Sequence, residues 1–226
     1  PPSQTIGVIG GTGSGTSTIV RLIMRYFDVA SGDIRIDGTD IKEMAPVYLR
    51  RQIGLVSQNA TLFSGSVRRN MQISNPNADD DMIWQALETA QCRDFVEKLS
   101  GGLDYHVEAG GKNFSGGQRQ RLTIARALVR QPEILILDDS SSALDYATDA
   151  ALRKALGKMI SDNNGMTVIM ISQRASSIRH SDKSLVLDHG SVAGWDTHDK
   201  LLESSPVYRE ICMSQGISVD ESEAGV

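Results

Sequence analysis

Residues 10–18, Gly-Gly-Thr-Gly-Ser-Gly-Thr-Ser-Thr, constrain this chain more than any other stretch. Four glycines in six positions follow the apolar run Ile6-Gly7-Val8-Ile9, and a helical pattern begins near Ser17. So many glycines beside a buried strand cost conformational entropy, which makes sense only where the backbone has to curl. A strand, a glycine-rich turn and a helix N-terminus in that order form an anion cradle: N–H groups converge inward and the helix dipole adds partial positive charge. The spacing matches Gly-x-x-x-x-Gly-Lys-Ser/Thr at Gly10, Gly15 and Ser17, but Thr16 stands where the lysine belongs. Gly10, Gly11, Thr12, Gly13, Ser14, Gly15, Thr16, Ser17 and Thr18 are thus candidate phosphate-binding residues, without the motif's cation for terminal phosphates. A dinucleotide fingerprint fits less well, because Thr18 occupies its third glycine position and no acidic ribose ligand follows at the right distance.

Beyond the loop, strand-like and helix-like stretches alternate. Ile19, Leu22, Ile23 and Tyr26 share one helical face, and Val20, Met24 and Phe27 a second. This predicts a helix covered on both sides and ended by Ser31-Gly32. Ile34 and Ile36 before Asp37-Gly38 predict a strand and turn, and Ile53–Val56 predicts a strand running into Ser57-Gln58. From Ser66 the pattern turns polar and helical, with helices over 79–91 and 93–99. Ser115 and Gln118 form a capping box for a helix carrying Leu122, Ala125, Leu128 and Val129, which Pro132 stops. Ile134-Leu135-Ile136-Leu137 reads as a central parallel strand buried on both faces and ends in Asp138-Asp139. A helix with Leu152, Ala155, Leu156 and Met159 on one face follows, then a strand over 167–171 and a hairpin at Asp188-His189-Gly190. Short helices over 199–203 and 207–213 precede an acidic stretch after Gly216 with the composition of a disordered tail.

This order predicts an α/β fold: a mostly parallel sheet flanked by helices, with an inserted all-α subdomain. The α/β core spans 1–65 and 131–203, the helical insert 66–130, and a C-terminal helix with the acidic tail 204–226.

Charge and composition exclude other classes. A net charge of -5 leaves no basic footprint, so nucleic acid is not an expected partner. No apolar run approaches the roughly 18–20 residues that span a bilayer. The opening Pro1-Pro2-Ser3 has no secretory leader, and the isolated Cys92 and Cys212 suit a reducing compartment. His106, His180, His189 and His198 lack metal-ligand spacing and read as surface or loop residues.

The segment Phe114-Ser115-Gly116-Gly117-Gln118-Arg119-Gln120-Arg121 closely resembles the signature sequence of ATP-binding cassette (ABC) proteins. Its two glycines at a capped helix N-terminus let backbone N–H groups approach a phosphate. The resemblance covers nearly the whole chain and implies a P-loop NTPase (RecA-like) fold that uses ATP and Mg²⁺. Asp138 resembles the Walker B carboxylate, implied to hold Mg²⁺ with the Ser17 hydroxyl. Gln58 resembles the Q-loop glutamine, implied to touch Mg²⁺ and to relay nucleotide state to transmembrane helices. Ser142-Ala143-Leu144-Asp145 resembles the D-loop. The 62–70 and 108–111 segments look like those of exporters rather than importers or soluble repair ATPases. The family pattern further implies a head-to-tail dimer, each site taking its phosphate loop from one chain and Ser115, Gly116, Gly117 and Gln118, or their counterparts, from the other. The expected setting is the cytoplasmic face of a membrane, beneath an exporter's transmembrane domain.

The chain departs from that pattern in three places on its own site. Thr16 replaces the lysine, Asp139 replaces the glutamate that polarises the attacking water, and Gln173 stands where the switch histidine is usual. Asp139 keeps the charge with one methylene less reach. Gln173 can hydrogen-bond a phosphate oxygen but cannot become an imidazolium. The set resembles the degenerate half of a heterodimeric exporter. The family also places antiparallel strands and an adenine-stacking aromatic before the loop. Only nine residues, none aromatic, precede Gly10, so adenine binding is expected to be weak. Two other classes remain open at this point: a non-hydrolytic interaction module of the same fold, and a soluble ABC ATPase.

Overall fold

A computed structural model describes residues 3–140, 142–162 and 165–217. The chain runs β1 (Thr5–Gly10), α1 (Thr16–Ile23), β2 (Arg35–Ile36), β3 (Thr39–Asp40), α2 (Pro46–Gln52), β4 (Ile53–Val56), β5 (Gly65–Ser66) and α3 (Val67–Ser74). It continues through α4 (Asp80–Thr89), α5 (Arg93–Glu97), β6 (His106–Val107), α6 (Gly116–Leu128), β7 (Ile134–Asp138) and α7 (Tyr146–Asp162). β8 (Thr167–Ile171), α8 (Ala175–Ile178), β9 (Lys183–Asp188), β10 (Ser191–Asp196), α9 (His198–Ser204) and α10 (Pro206–Ser214) close it.

Six strands form the main sheet in the order β10-β9-β1-β8-β7-β4. Only β10 runs antiparallel to its neighbour; β9, β1, β8, β7 and β4 are parallel. Side chains alternate along each strand, so the apolar runs feed two faces. Ile6, Val8, Ile136, Ile171 and Leu187 pack with Val20 and Met24 from the α1 end and Leu49 of α2. Ile9, Leu135, Leu137, Val168, Met170 and Val186 face a larger cluster. That cluster continues without a break through Met71, Ile83, Leu87, Leu122 and Ile124 to Leu152, Leu156, Tyr208 and Cys212. The helices after β5 therefore share an apolar interior with the sheet. The same block also holds a short antiparallel ladder, with Gly65 opposite Val107 and Ser66 opposite His106.

The helix caps follow their side chains. Ser66, Asp79 and Ser115 each accept a backbone N–H from their own first turn, and Ser115 and Gln118 complete the reciprocal capping box.

The structure corrects the reading of α1. It ends at Ile23, well before Ser31-Gly32, so Tyr26 and Phe27, expected on its two covered faces, lie beyond it and are exposed. Arg25 has φ 49°, and the N–H groups of Arg25 and Tyr26 bond the carbonyls of Leu22 and Arg21, a Schellman end built without glycine. The Arg25 guanidinium donates to the carbonyls of Ile41 (3.1 Å) and Met44 (2.9 Å), which offsets the left-handed backbone. His198 is likewise neither loop nor fully surface: half-buried in α9, its Nδ1 lies 2.8 Å from the Tyr208 hydroxyl. The acidic residues expected to form a tail lie, from 218 on, outside the described residues.

Candidate functional site

Parallel register decides which loops meet. Gly10 sits opposite Leu187, Val8 opposite Ile171, Asp138 opposite Ile171, and Val56 opposite Leu137. The carboxyl ends of five strands thus align, and the loops that leave them emerge at one edge of the sheet, where open α/β sheets bind ligands. Those loops carry residues 10–18, Gln58, Asp138 with Asp139, and Gln173.

The glycine-rich loop is fixed by close approach. A Cβ on Gly10 would lie 2.3 Å from Ser14 Oγ and 2.6 Å from the Leu187 carbonyl, so no larger residue fits. The N–H of Ser14 bonds the Gly11 carbonyl (3.0 Å), and the Ser14 carbonyl accepts the N–H of Gly190 (3.0 Å). Gly15 is the N-cap of α1 at φ 103°, a left-handed conformation that disfavours side chains. Its carbonyl accepts from Thr18 (2.9 Å) and Ile19 (3.1 Å). Helix geometry leaves the N–H groups of Thr16 and Ser17 without intrahelical partners. Ser14 Oγ is buried and has no hydrogen-bond partner. A buried polar atom of this kind, next to free N–H groups, suits an anion that supplies the missing acceptors.

Asp138 ends β7 and Asp139 follows at φ 47°, both half-buried. The Asp139 N–H bonds the Ile171 carbonyl at 2.8 Å, which fixes it against β8. Burial lifts Asp138 above the usual carboxylate range; the neighbouring Asp139 adds to this and Arg21 opposes it. Burial lifts Asp139 as well, opposed by Arg174 and by the Gln58 amide. Two adjacent carboxylates still raised in this way are compensated only in part by Arg21 and Arg174, and a divalent cation fits that deficit. Gln58 Nε2 donates to Asp139 Oδ2 at 3.2 Å, which leaves its side-chain oxygen as the atom that can face a cation. Gln173 is exposed after β8, held by its backbone rather than its side chain: its carbonyl accepts from Gln215 Nε2 at 2.7 Å.

Ser115, Gly116, Gly117 and Gln118 belong to a different neighbourhood. Ser115 Oγ accepts from the Gln118 N–H (3.2 Å) and Gln118 Oε1 from the Ser115 N–H (3.0 Å). Ser115 and Gly116 are exposed, while Gly117 backs onto the Ala143 carbonyl. The structure thus brings the glycine loop, Gln58, Asp138, Asp139 and Gln173 to one strand edge and gives 115–118 an open surface.

The sequence reading missed Arg21, Arg174, Gly190 and Gln215, which act on the site through the contacts above. Each reaches it across the fold, and no local motif marks such partners.

Comparison with known proteins agrees with this geometry. A family profile described as ABC transporter matches residues 1–142, more than half of the chain. The chain is 40% identical over 225 residues to a β-(1→2)glucan export ATP-binding/permease protein, NdvA, of Rhodopseudomonas palustris, covering 100% of this chain and 37% of the relative. It is 40% identical over 217 residues to ABC transporter B family member 1 of Arabidopsis thaliana, covering 95% of this chain and 17% of that one. A bacterial Atm1-family ABC exporter solved with ATP bound superposes with a TM-score of 0.89 at 35% identity, over 96% of this chain and 38% of the exporter. The chain therefore spans little more than a third, or less, of the proteins it matches. It belongs to the ABC transporter family, as an ATP-binding domain of the exporter kind with a P-loop NTPase fold.

Proposed function

We propose that this chain binds ATP with Mg²⁺ at residues 10–18, turns it over poorly at its own site, and completes the site of a second, non-identical nucleotide-binding domain through Ser115–Gln118. It does so at the cytoplasmic face of a membrane, beneath an exporter's transmembrane domain. Residues 66–130 act as the helical signature subdomain on a core of 1–65 and 131–203, with 204–226 as the C-terminal extension. One observation carries the reading: a phosphate loop that keeps its glycines shares its strand edge with three departures from the family pattern, Thr16, Asp139 and Gln173.

Ser17, Gln58 and Asp138 would hold Mg²⁺. Bound there, the ion would neutralise charge on the phosphates. The free N–H groups at the start of α1 bind phosphate oxygens, but Thr16 brings no charge to the terminal ones. Asp139 is the group placed to orient a water. Its carboxylate is shared with Gln58 and is one methylene shorter than a glutamate, so its alignment is poor. Gln173 can donate a hydrogen bond to a phosphate oxygen but holds no proton to give up.

Titration of the chain and its Thr16→Lys form with Mg²⁺-ATP, alongside steady-state turnover, tests the proposal. A charged hydrogen bond contributes roughly 1.5–3 kcal/mol, so Thr16→Lys is expected to tighten ATP binding about ten- to a hundredfold. Turnover of the unaltered chain alone is expected to be negligible. Hydrolysis at the rate of an intact cassette, or no gain in affinity from the lysine, would overturn it.

A further inference from the structure

The side chain of Gln215 bridges two backbone groups of the loop after β8. Its Nε2 donates to the Gln173 carbonyl at 2.7 Å, and its Oε1 accepts the N–H of Ala175 at 2.8 Å. Ala175 opens α8, whose N-cap residue Arg174 makes no side-chain cap bond. Gln215 therefore satisfies an orphan helix N–H from 40 residues away. The same amide fixes the carbonyl of the residue expected to face the terminal phosphate. On its other side the loop is tied to the sheet, with the Ser172 N–H on the Val8 carbonyl at 3.1 Å.

Gln215 is itself held firmly. It is the C-cap of α10, and Gly216 follows at φ 69°. The N–H of Ile217 bonds the Cys212 carbonyl (3.1 Å) and that of Gly216 the Met213 carbonyl (3.0 Å), a complete Schellman motif. One and two turns back, Cys212 and Tyr208 are fully buried, and Ser205 Oγ ties the start of α10 to the Ala193 carbonyl of β10. The amide thus extends from a rigid helix end.

We propose that Gln215 is a positioning residue for terminal-phosphate recognition: it sets the height of Gln173 over the phosphate loop and makes α10 a handle on that contact. The inference rests on the reading of Gln173 given above. ADP lacks the phosphate that Gln173 would meet, so the discriminating quantity is the preference for ATP over ADP, which a general loss of stability would not change.

Three measurements test it. In the nucleotide-free chain, Gln215→Ala is expected to accelerate hydrogen exchange at the Ala175 amide about tenfold, the effect of one lost hydrogen bond. In competition binding of Mg²⁺-ATP and Mg²⁺-ADP, on the Thr16→Lys background to bring both into range, Gln215→Ala is expected to lower the ATP/ADP preference about tenfold with ADP affinity unchanged. Gly216→Val, which cannot easily hold φ 69°, is expected to act in the same direction. Gln173→Ala is the control for the underlying reading. If it lowers the ATP/ADP preference and Gln215→Ala does not, the positioning role is overturned and the reading of Gln173 stands. If Gln173→Ala leaves the preference unchanged, both fall. Equal losses for ATP and ADP in Gln215→Ala, or unaltered exchange at Ala175, would also overturn the inference.

Discussion

Asp138 and Asp139 are half-buried neighbours, and burial lifts both above the ordinary carboxylate range. A carboxyl whose folded value is raised favours the folded state at pH below its unfolded value. That contribution is lost as pH rises through the lifted value. Wherever Asp138 is ionised in the nucleotide-free domain, its charge is therefore unfavourable to the fold. Asp138→Asn is expected to raise Tm at pH 7 by about 2–4 °C, the shift roughly 1 kcal/mol produces in a domain of this size. The gain should fade as pH falls through the ordinary carboxylate value of about 4, below which Asp138 becomes neutral in both states. Thermal melts of the two proteins from about pH 3, below the ordinary carboxylate value, up to neutral pH decide it. An unchanged or lower Tm at neutral pH would refute the argument.

At the scale of elements, the segment before α3 owes its shape to one buried amide. Asn70 Oδ1 accepts the Phe63 N–H at 2.9 Å, and its Nδ2 donates to the carbonyls of Phe63 (2.8 Å) and Ser66 (3.0 Å). Arg126 of α6 reinforces the segment from the other side, donating to the Thr61 carbonyl at 3.0 Å with its guanidinium 5.3 Å from the Phe63 ring centroid. Asn70→Ala would leave both polar groups of Phe63 unpartnered, at a cost of about 2–4 kcal/mol. Urea unfolding measures this, and a loss under about 1 kcal/mol would mean that water replaces the amide. Much at this scale was legible in the sequence. The runs Ile53–Val56, Ile134–Leu137 and Thr167–Ile171 are strands, and Ser115 with Gln118 is the capping box it resembles. These signals are local: a strand or cap is written in adjacent residues. The end of α1 was not legible, because Arg25 takes a left-handed backbone that its side chain stabilises through Ile41 and Met44, contacts made by folding. The β5–β6 ladder pairs two residues with two across a long span, too short to show a period. In the site, the glycine loop and Asp138-Asp139 stood out as motifs. Gln215 did not, since its function depends on two backbone groups that only the tertiary fold brings within reach.

For the whole molecule, the glycine loop and the signature helix present themselves differently. The loop is anchored in the sheet edge by the buried Gly10 and Ser14, whereas Ser115 and Gly116 are both exposed. An exposed, capped helix start with two glycines suits a phosphate brought by another subunit. Ser115→Arg in a complex with a partner whose own phosphate loop carries its lysine is expected to lower ATP turnover about a hundredfold, the scale of losing a preorganised donor. Undiminished turnover there would favour a non-hydrolytic interaction module. The chain's own cradle has a further property that follows from the bond between the Gly190 N–H and the Ser14 carbonyl. The turn joining β9 to β10 braces the loop from behind, and Gly10 leaves no space for it to collapse inward. A loop braced at Gly10 and Ser14 has part of its conformational entropy already surrendered to the fold, which lowers the ordering cost of holding an anion there.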